Sequence, residues 1–292
     1  MKNEIDLSII TVTYQSREHI EACIMSVVAS AIKINHEHFI VDNHSTDGTV
    51  ELIEESYSTY VTLLKNDKNL GFAAANNRAA KLAKGRYLLF LNPDMSIQAG
   101  SLDSLVEWMD ARSDVGLASC RLIASNPQFN SFLWPKQFSK SGFYIFHLLN
   151  LAPVKEIFPN YSNFDEFREQ EIDHARGAFF LLRKEIVDKL GFAFDPAYFL
   201  SHEDVDLCQE VKRLGYKVIY TPIVTVMDYW GRSFAQTSDP WKFLVGSKGL
   251  KTYICKWHSP LHALWFYPAF VIGFIVRIPS WGLKASLKVL KD

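Results

Sequence analysis

The first 120 residues alternate short apolar runs with helix-patterned runs, and this alternation restricts the chain more than any other feature. Leu7–Tyr14 is continuous and rich in β-branched residues, as in a strand buried on both faces. Residues 17–31 then place Ile20, Cys23, Ile24, Val27 and Val28 at helical spacing. Phe39–Val41 and Val61–Leu64 read as further strands. Residues 72–83 read as an alanine-rich helix stopped by Gly85 as a left-handed cap. A strand over Arg86–Leu91, a helix over 101–111 and a strand over Val115–Cys120 complete the series. Such βαβα order predicts an α/β fold, a doubly wound and mostly parallel sheet flanked by helices.

Beyond residue 121 the pattern changes. Residues 125–168 are rich in aromatics with weak periodicity, consistent with either short packed helices or an acceptor-binding flap. Phe179–Leu182 predicts a strand, Asp204–Leu214 a helix, and Tyr216–Tyr220 a strand stopped by Pro222. From Lys242 onward the chain carries eight Lys or Arg and one acid, Asp292. That tail contains the apolar stretch Leu261–Val276, short for a spanning helix and interrupted by Pro268. Lys256, Arg277, Lys284 and Lys288 flank it, as in a segment lying on an anionic leaflet; a docked helical pair is the competing reading. The expected organisation is a catalytic domain over 1–240, with halves divided near 120, and a helical appendage over 241–292.

At 292 residues, 48% hydrophobic, the chain can bury a sizeable core. A net charge of −1 supplies no field for nucleic acid. Cys23, Cys120, Cys208 and Cys255 lack metal or redox spacing, so free thiols in a reducing compartment are expected. Residues 1–6 are too acidic for a signal peptide, which points to the cytoplasm, peripheral on the inner face of the cytoplasmic membrane.

Two acidic clusters carry the chemistry. Asn92-Pro93-Asp94 follows a buried strand, where open α/β sheets bind ligands. A carboxylate there needs a partner, and Mg²⁺ or Mn²⁺ with substrate phosphates would serve, Asp94 as ligand and Asn92 as ligand or neighbour. Ser201-His202-Glu203-Asp204-Val205-Asp206 opens a helix; it resembles a capping box, yet its three acids exceed what a cap needs. A carboxylate of this cluster could act as base on what the cation holds. Asp42 could accept the N3–H of a uracil or thymine flanked by Thr11 and Tyr14, or form an Asx turn; Asp47 is read as organising the turn before Gly48. Asn69-Leu70-Gly71-Phe72 and Asn76-Asn77 surround a helix start suited to a diphosphate, or else to a capped helix with both asparagines outward. The Gly-rich dinucleotide fingerprint is absent, which counts against a nicotinamide or flavin enzyme.

In order, Ile9–Tyr14, Val41–Thr49, Asn69–Asn77, Gly85–Tyr87, Leu91–Asp94 and Phe199–Asp206 resemble the pattern of glycosyltransferase family 2, from residue 5 to about 235. The Leu-Asn-Pro-Asp and Glu-Asp-Val-Asp-Leu-Cys stretches are most similar to bacterial rhamnosyltransferases of cell-wall and O-antigen assembly. The resemblance implies a GT-A fold and inverting transfer from a nucleotide sugar, dTDP-rhamnose or alternatively a UDP-hexose, to a lipid-linked saccharide acceptor. It implies nucleotide binding by Thr11, Thr13, Tyr14, Asp42, Asn69, Gly71, Asn77 and Asn92. It implies metal at Asn92 and Asp94, and Asp204 as general base with Glu203 next in line. Gly177 is expected to allow close approach of the donor sugar, with Arg176 and Arg232 near its hydroxyls or the diphosphate; ordinary strand packing is the competing reading. The family often has a histidine where this chain has Asp228, which would add negative charge beside the diphosphate if it served as third ligand. A nucleotidyltransferase is disfavoured because no Gly-rich basic loop follows Tyr14; a silent nucleotide-sugar-binding subunit is disfavoured by Asn92, Asp94 and Asp204.

Overall fold

The computed structural model describes residues 4–139, 141–151, 161, 163–229 and 238–289. The first half follows the expected alternation: β1 (Leu7–Thr13), α1 (Ile20–Ser30), β2 (His36–Asp42), α2 (Thr49–Ser56), β3 (Thr62–Lys65), α3 (Phe72–Ala80), β4 (Tyr87–Leu91), β5 (Met95–Ile97), α4 (Ser101–Asp110) and β6 (Val115–Ala124). The second half holds two short helices, α5 (Asn130–Leu133) and α6 (Ser141–Leu148). They are followed by β7 (Gln170–Glu171), β8 (Phe179–Arg183), α7 (Lys184–Leu190), α8 (Glu203–Arg213) and β9 (Lys217–Asp228). Two long helices, α9 (Asp239–Trp257) and α10 (Pro260–Val289), form the tail.

All nine strands join one sheet in the order β3-β2-β1-β4-β8-β6-β9-β5, with β7 beside β9. The β3-β2-β1-β4 half is parallel. The other half is mixed: β8 runs antiparallel to β4 and β6, and β5 antiparallel to β9, while β6 and β9 are parallel. Side chains alternate across the pleat. Leu88 and Phe90 enter one core layer with α3, α7, α8 and α9, whereas Leu89 and Leu91 enter the other with α1 and α4. Burial on both faces is what the uninterrupted apolar runs of β1 and β4 encode.

Three local expectations are corrected. Pro222 does not stop the last strand; β9 continues to Asp228, and the β6 register jumps from Cys120↔Thr221 to Arg121↔Thr225. This irregularity accommodates a proline that cannot donate to the ladder. Gly85 is not a left-handed cap, since α3 ends at Ala80 and Gly85 is not among the positive-φ residues. Its use is close approach: an added Cβ would lie 2.4 Å from the Ser8 backbone nitrogen. Finally, Pro268 and Pro279 lie inside α10, which spans 30 residues. Its Leu264–Trp281 window is long and apolar enough to cross a membrane by length and composition, with 17% of it buried.

Two of the tail's basic residues point inward. Arg277 donates to the carbonyls of Leu148 (2.6 Å), His147 (2.8 Å) and Gly273 (2.9 Å), clamping α10 to the end of α6. Lys256 is enclosed by the carboxylates of Asp195, Asp206 and Glu210. Of the two readings for residues 125–168, short helices are present, and α6 packs beneath α9 and α10.

Gly85→Ala is expected to destabilise the fold by about 1–3 kcal/mol, the usual cost of overpacking where backbone must shift. A chemical-denaturation midpoint indistinguishable from wild type would refute the close-approach role.

Candidate functional site

The carboxyl ends of β1, β2 and β4 share one edge of the sheet, because these strands are parallel. β8 runs the other way, so its amino-terminal approach, Arg176-Gly177-Ala178, meets the carboxyl end of β4. The Asn92 backbone N–H donates to the Ala178 carbonyl at 3.0 Å. Antiparallel insertion of β8 therefore brings residues 176–178 beside Asn92 and Asp94.

Asp94 is buried, and its carbonyl accepts the Tyr229 N–H at 3.1 Å. Burial raises its carboxyl above the usual range, with the charges of Arg176 and His19 acting in opposition. Met95 pairs with Asp228 across β5 and β9, so the backbone at Asp94 runs close to that at Asp228. Arg176 Nη1 lies 3.3 Å from the buried Asp228 carboxylate. The extra negative charge at position 228 is thus partnered within the protein.

Asp204 arrives from the opposite layer, in the first turn of α8. Its Oδ2 accepts the Gly177 N–H at 3.1 Å, and its Oδ1 the Val205 N–H at 2.8 Å. A Cβ on Gly177 would lie 3.1 Å from the Asp204 Cβ, so glycine permits this approach. Burial raises Asp204, while the Gly177 and Val205 N–H groups and the Arg176 charge favour its ionised form. Glu203 is also buried, its Oε2 makes no hydrogen bond, and burial with the Asp204 charge raises its carboxyl strongly. Three carboxyl groups, those of Asp94, Asp204 and Asp228, thus share the influence of one guanidinium, with Glu203 beside Asp204.

The capping-box reading of Ser201 is not realised. The N-cap is His202, with no side-chain cap bond, and Ser201 and His202 adopt φ of 75° and 71°. Two successive left-handed non-glycine residues store strain of order 1–3 kcal/mol each and persist only where surroundings hold them. Here the Phe199 carbonyl accepts the Phe72 N–H at 2.7 Å, and Gly71 packs so closely that a Cβ would meet the Phe199 oxygen at 2.3 Å. Burial lowers the His202 imidazole to about 4, which keeps it neutral.

The residues expected from sequence to bind a nucleotide are more committed to the protein than their sequence pattern indicated. Asp42 accepts from Thr13 (3.0 Å) and from the Ser45 N–H (2.9 Å) and hydroxyl (2.5 Å), an Asx-type arrangement at the end of β2. Thr11 Oγ1 lies 3.0 Å from His38 Nε2. Asp47 accepts from Thr49 and from the Arg17 N–H, organising the turn as read. Asn69 accepts the Gly71 N–H at 2.9 Å. Asn76 and Asn77 are buried rather than outward. Asn77 accepts the N–H groups of Ala193 and Phe194, each at 2.9 Å, and donates to the Phe194 carbonyl at 2.6 Å. Asn43, not singled out from sequence, is buried and bridges Asn66, Leu70 and Gly71. Only its place beside Asp42 at a strand end could have flagged it. Tyr14 stands 41% exposed at the mouth of β1. Arg232 lies outside the described residues.

The oxygen donors fit a hard divalent cation. Among the described residues no cluster of three or more His, Cys, Asp or Glu side chains is set to hold a metal by itself. A buried Asp94 raised by desolvation, beside the amide of Asn92, would gain from a cation whose remaining positions are taken by phosphate oxygens.

The family profile described as Glycosyl transferase family 2 matches residues 8–191. An N-acetylglucosaminyl-diphospho-decaprenol L-rhamnosyltransferase of Mycobacterium tuberculosis is 25% identical over 303 residues, covering 96% of this chain and 90% of that protein. A UDP-Glc:alpha-D-GlcNAc-diphosphoundecaprenol beta-1,3-glucosyltransferase of Escherichia coli is 38% identical over 88 residues, 30% of this chain and 35% of that one. The chain spans less than half the length of several curated relatives it matches. Among solved structures, a mannosyltransferase from Pyrobaculum calidifontis in complex with GDP-Man and Mn²⁺ superposes with a TM-score of 0.58 at 18% identity, covering 97% of this chain and 79% of that one.

Proposed function

The chain belongs to glycosyltransferase family 2 and has the GT-A fold, and from that premise we propose that it moves a sugar by single displacement from a nucleotide donor to a lipid-linked saccharide acceptor. The observation that carries this reading is the meeting of Asp94, Asp204 and Asp228 around Arg176 at the carboxyl edge of the sheet. Asp204 is the base. Its carboxylate, held by the Gly177 N–H, takes the proton of the acceptor hydroxyl as that oxygen attacks the anomeric carbon. Glu203, raised further by the Asp204 charge, stays protonated beside it.

Asp94 and Asn92 would hold Mg²⁺ or Mn²⁺ against the donor diphosphate. A bound cation supplies Lewis-acid neutralisation of the leaving group. Arg176 offsets Asp228 and faces the same negative charge. The uracil or thymine ring lies against Tyr14 with Asp42 beneath it. Asp42 already accepts three hydrogen bonds, so one further carboxylate lone pair serves the base N3–H. We favour dTDP-rhamnose as donor, supported by the mycobacterial rhamnosyltransferase that aligns with nearly the whole chain; a UDP-hexose is the second reading, supported by the shorter match to a UDP-Glc enzyme. Both of those relatives are named for diphosphoprenol acceptors, which supports a lipid-linked acceptor here.

Asp204→Asn should lower kcat by at least about 10²-fold while nucleotide affinity stays within a few fold, because an amide takes no proton. Retention of more than a tenth of wild-type kcat would sink the assignment.

Asp94→Ala should weaken nucleoside-diphosphate binding and remove its dependence on Mg²⁺ or Mn²⁺. Calorimetry with and without chelator decides this; metal-independent binding by the wild type would refute the ligand role.

We further propose that α10 seats the enzyme on a bilayer. Leu261, Leu264, Trp265, Val271, Ile275 and Ile278 are each at least half exposed, an apolar face with no protein cover among the described residues. With Lys256 and Arg277 used internally, insertion of apolar side chains outweighs surface charge. Full-length protein should float with liposomes at both low and high salt, and a chain truncated at residue 258 should not. Loss of flotation at high salt would mean that charge, not the apolar face, does the binding.

A further inference from the structure

The contacts between α8 and α9 converge on one side chain. Asp206 is 1% exposed and lies one turn into α8 from Glu203. Its Oδ2 receives Lys256 Nζ at 2.9 Å, and its Oδ1 receives Trp257 Nε1 at 2.6 Å and the Tyr198 hydroxyl at 3.2 Å. Lys256 Nζ also reaches Asp195 at 2.8 Å and Glu210 at 2.9 Å. One ammonium from α9 therefore ties the loop before α8, its first turn and its second turn together. Earlier in α9, Gly249 packs against the strained entry to the same helix, where a Cβ would lie 2.2 Å from the Ser201 carbonyl oxygen.

Among the described residues, none of these groups hydrogen-bonds to Gly177, Asp94, Asp204 or Asp228. They act on the backbone from which Asp204 projects. The two left-handed residues at 201 and 202 leave the start of α8 without a side-chain cap, so its placement depends on what grips it from outside. Phe72 grips from the nucleotide half, and α9 grips from the tail.

We propose that Lys256 and Trp257 are positioning residues for glycosyl transfer: by fixing Asp206 they hold the first turn of α8, and so set the Asp204 carboxylate against Gly177. This rests on the reading of Asp204 as base. The helix that leads into the apolar α10 is then part of the catalytic unit, and the tail acts on turnover as well as on location.

The test uses full-length Lys256→Met, Lys256→Arg and Trp257→Phe. Hydrolysis of dTDP-rhamnose and of UDP-glucose gives kcat and KM, and hydrogen exchange follows residues 199–206 beside β1 and β2. Lys256→Met and Trp257→Phe should lower kcat about tenfold or more with donor KM within twofold, since small misplacement of a reacting group is costly. Lys256→Arg should recover most of the loss. Exchange at 199–206 should quicken in the two damaging variants while β1 and β2 stay protected. Trp257→Phe removes a single hydrogen bond and carries the test if Lys256→Met fails to fold. Unchanged kcat in both, or exchange that quickens equally across the sheet, would overturn the proposal. Wild-type protein that hydrolyses neither donor would count against the glycosyl-transfer reading; the exchange arm still decides the clamp, since unchanged exchange at 199–206 refutes it.

Discussion

Arg176 stands where burial and charge conflict at the edge of the sheet. Asp94, Asp204 and Asp228 come from three separate stretches and meet at one sheet edge, and burial opposes charge on Asp94 and Asp204. Isolated buried carboxylates are costly, and removing their partner leaves an uncompensated charge. The guanidinium pairs directly with Asp228 and favours ionisation of the other two. The negative charge of Asp228 is thereby paired within the protein.

The sheet topology makes that meeting possible. Had β8 run parallel to β4, Arg176 and Gly177 would sit at the far edge, away from Asp94. Because it is antiparallel, the residues entering β8 lie beside the residues leaving β4. Gly177 then lets α8 approach closely enough for its backbone N–H to hold Asp204. Buried polar groups elsewhere serve the same end by fixing loops: Asn43 ties the ends of β2 and β3 to the entry of α3, and Asn77 ties α3 to residues 193 and 194.

The tail has two physical characters. α9 is bound by buried ion pairs and by close backbone approach at Gly249. α10 is anchored by Arg277 at its middle and presents a largely exposed apolar face. A single basic, aromatic-rich stretch in the sequence thus separates into a strut and a surface. Composition could not distinguish them, since Lys256 and Lys251 look alike until their surroundings are known: one is ringed by three carboxylates and the other meets the Tyr267 hydroxyl and ring.

The strand and helix alternation of residues 7–120, the two-faced burial of β1 and β4, and the acidic clusters at 92–94 and 203–206 were legible in the sequence, because periodicity and strand-end position are local properties. The continuation of β9 past Pro222 was not, since the irregularity that admits it belongs to the β6 pairing. Gly85 was recognised as special for the wrong reason: a glycine needed for positive φ and one needed for contact with Ser8 are identical in sequence. The same limit applied to Asn77, whose three hydrogen bonds go to residues more than 110 positions away. Which acids face one another, and that Arg176 and Lys256 each serve several of them, was decided only by tertiary structure, because Coulomb and hydrogen-bond energies depend on distance through space and not on separation along the chain.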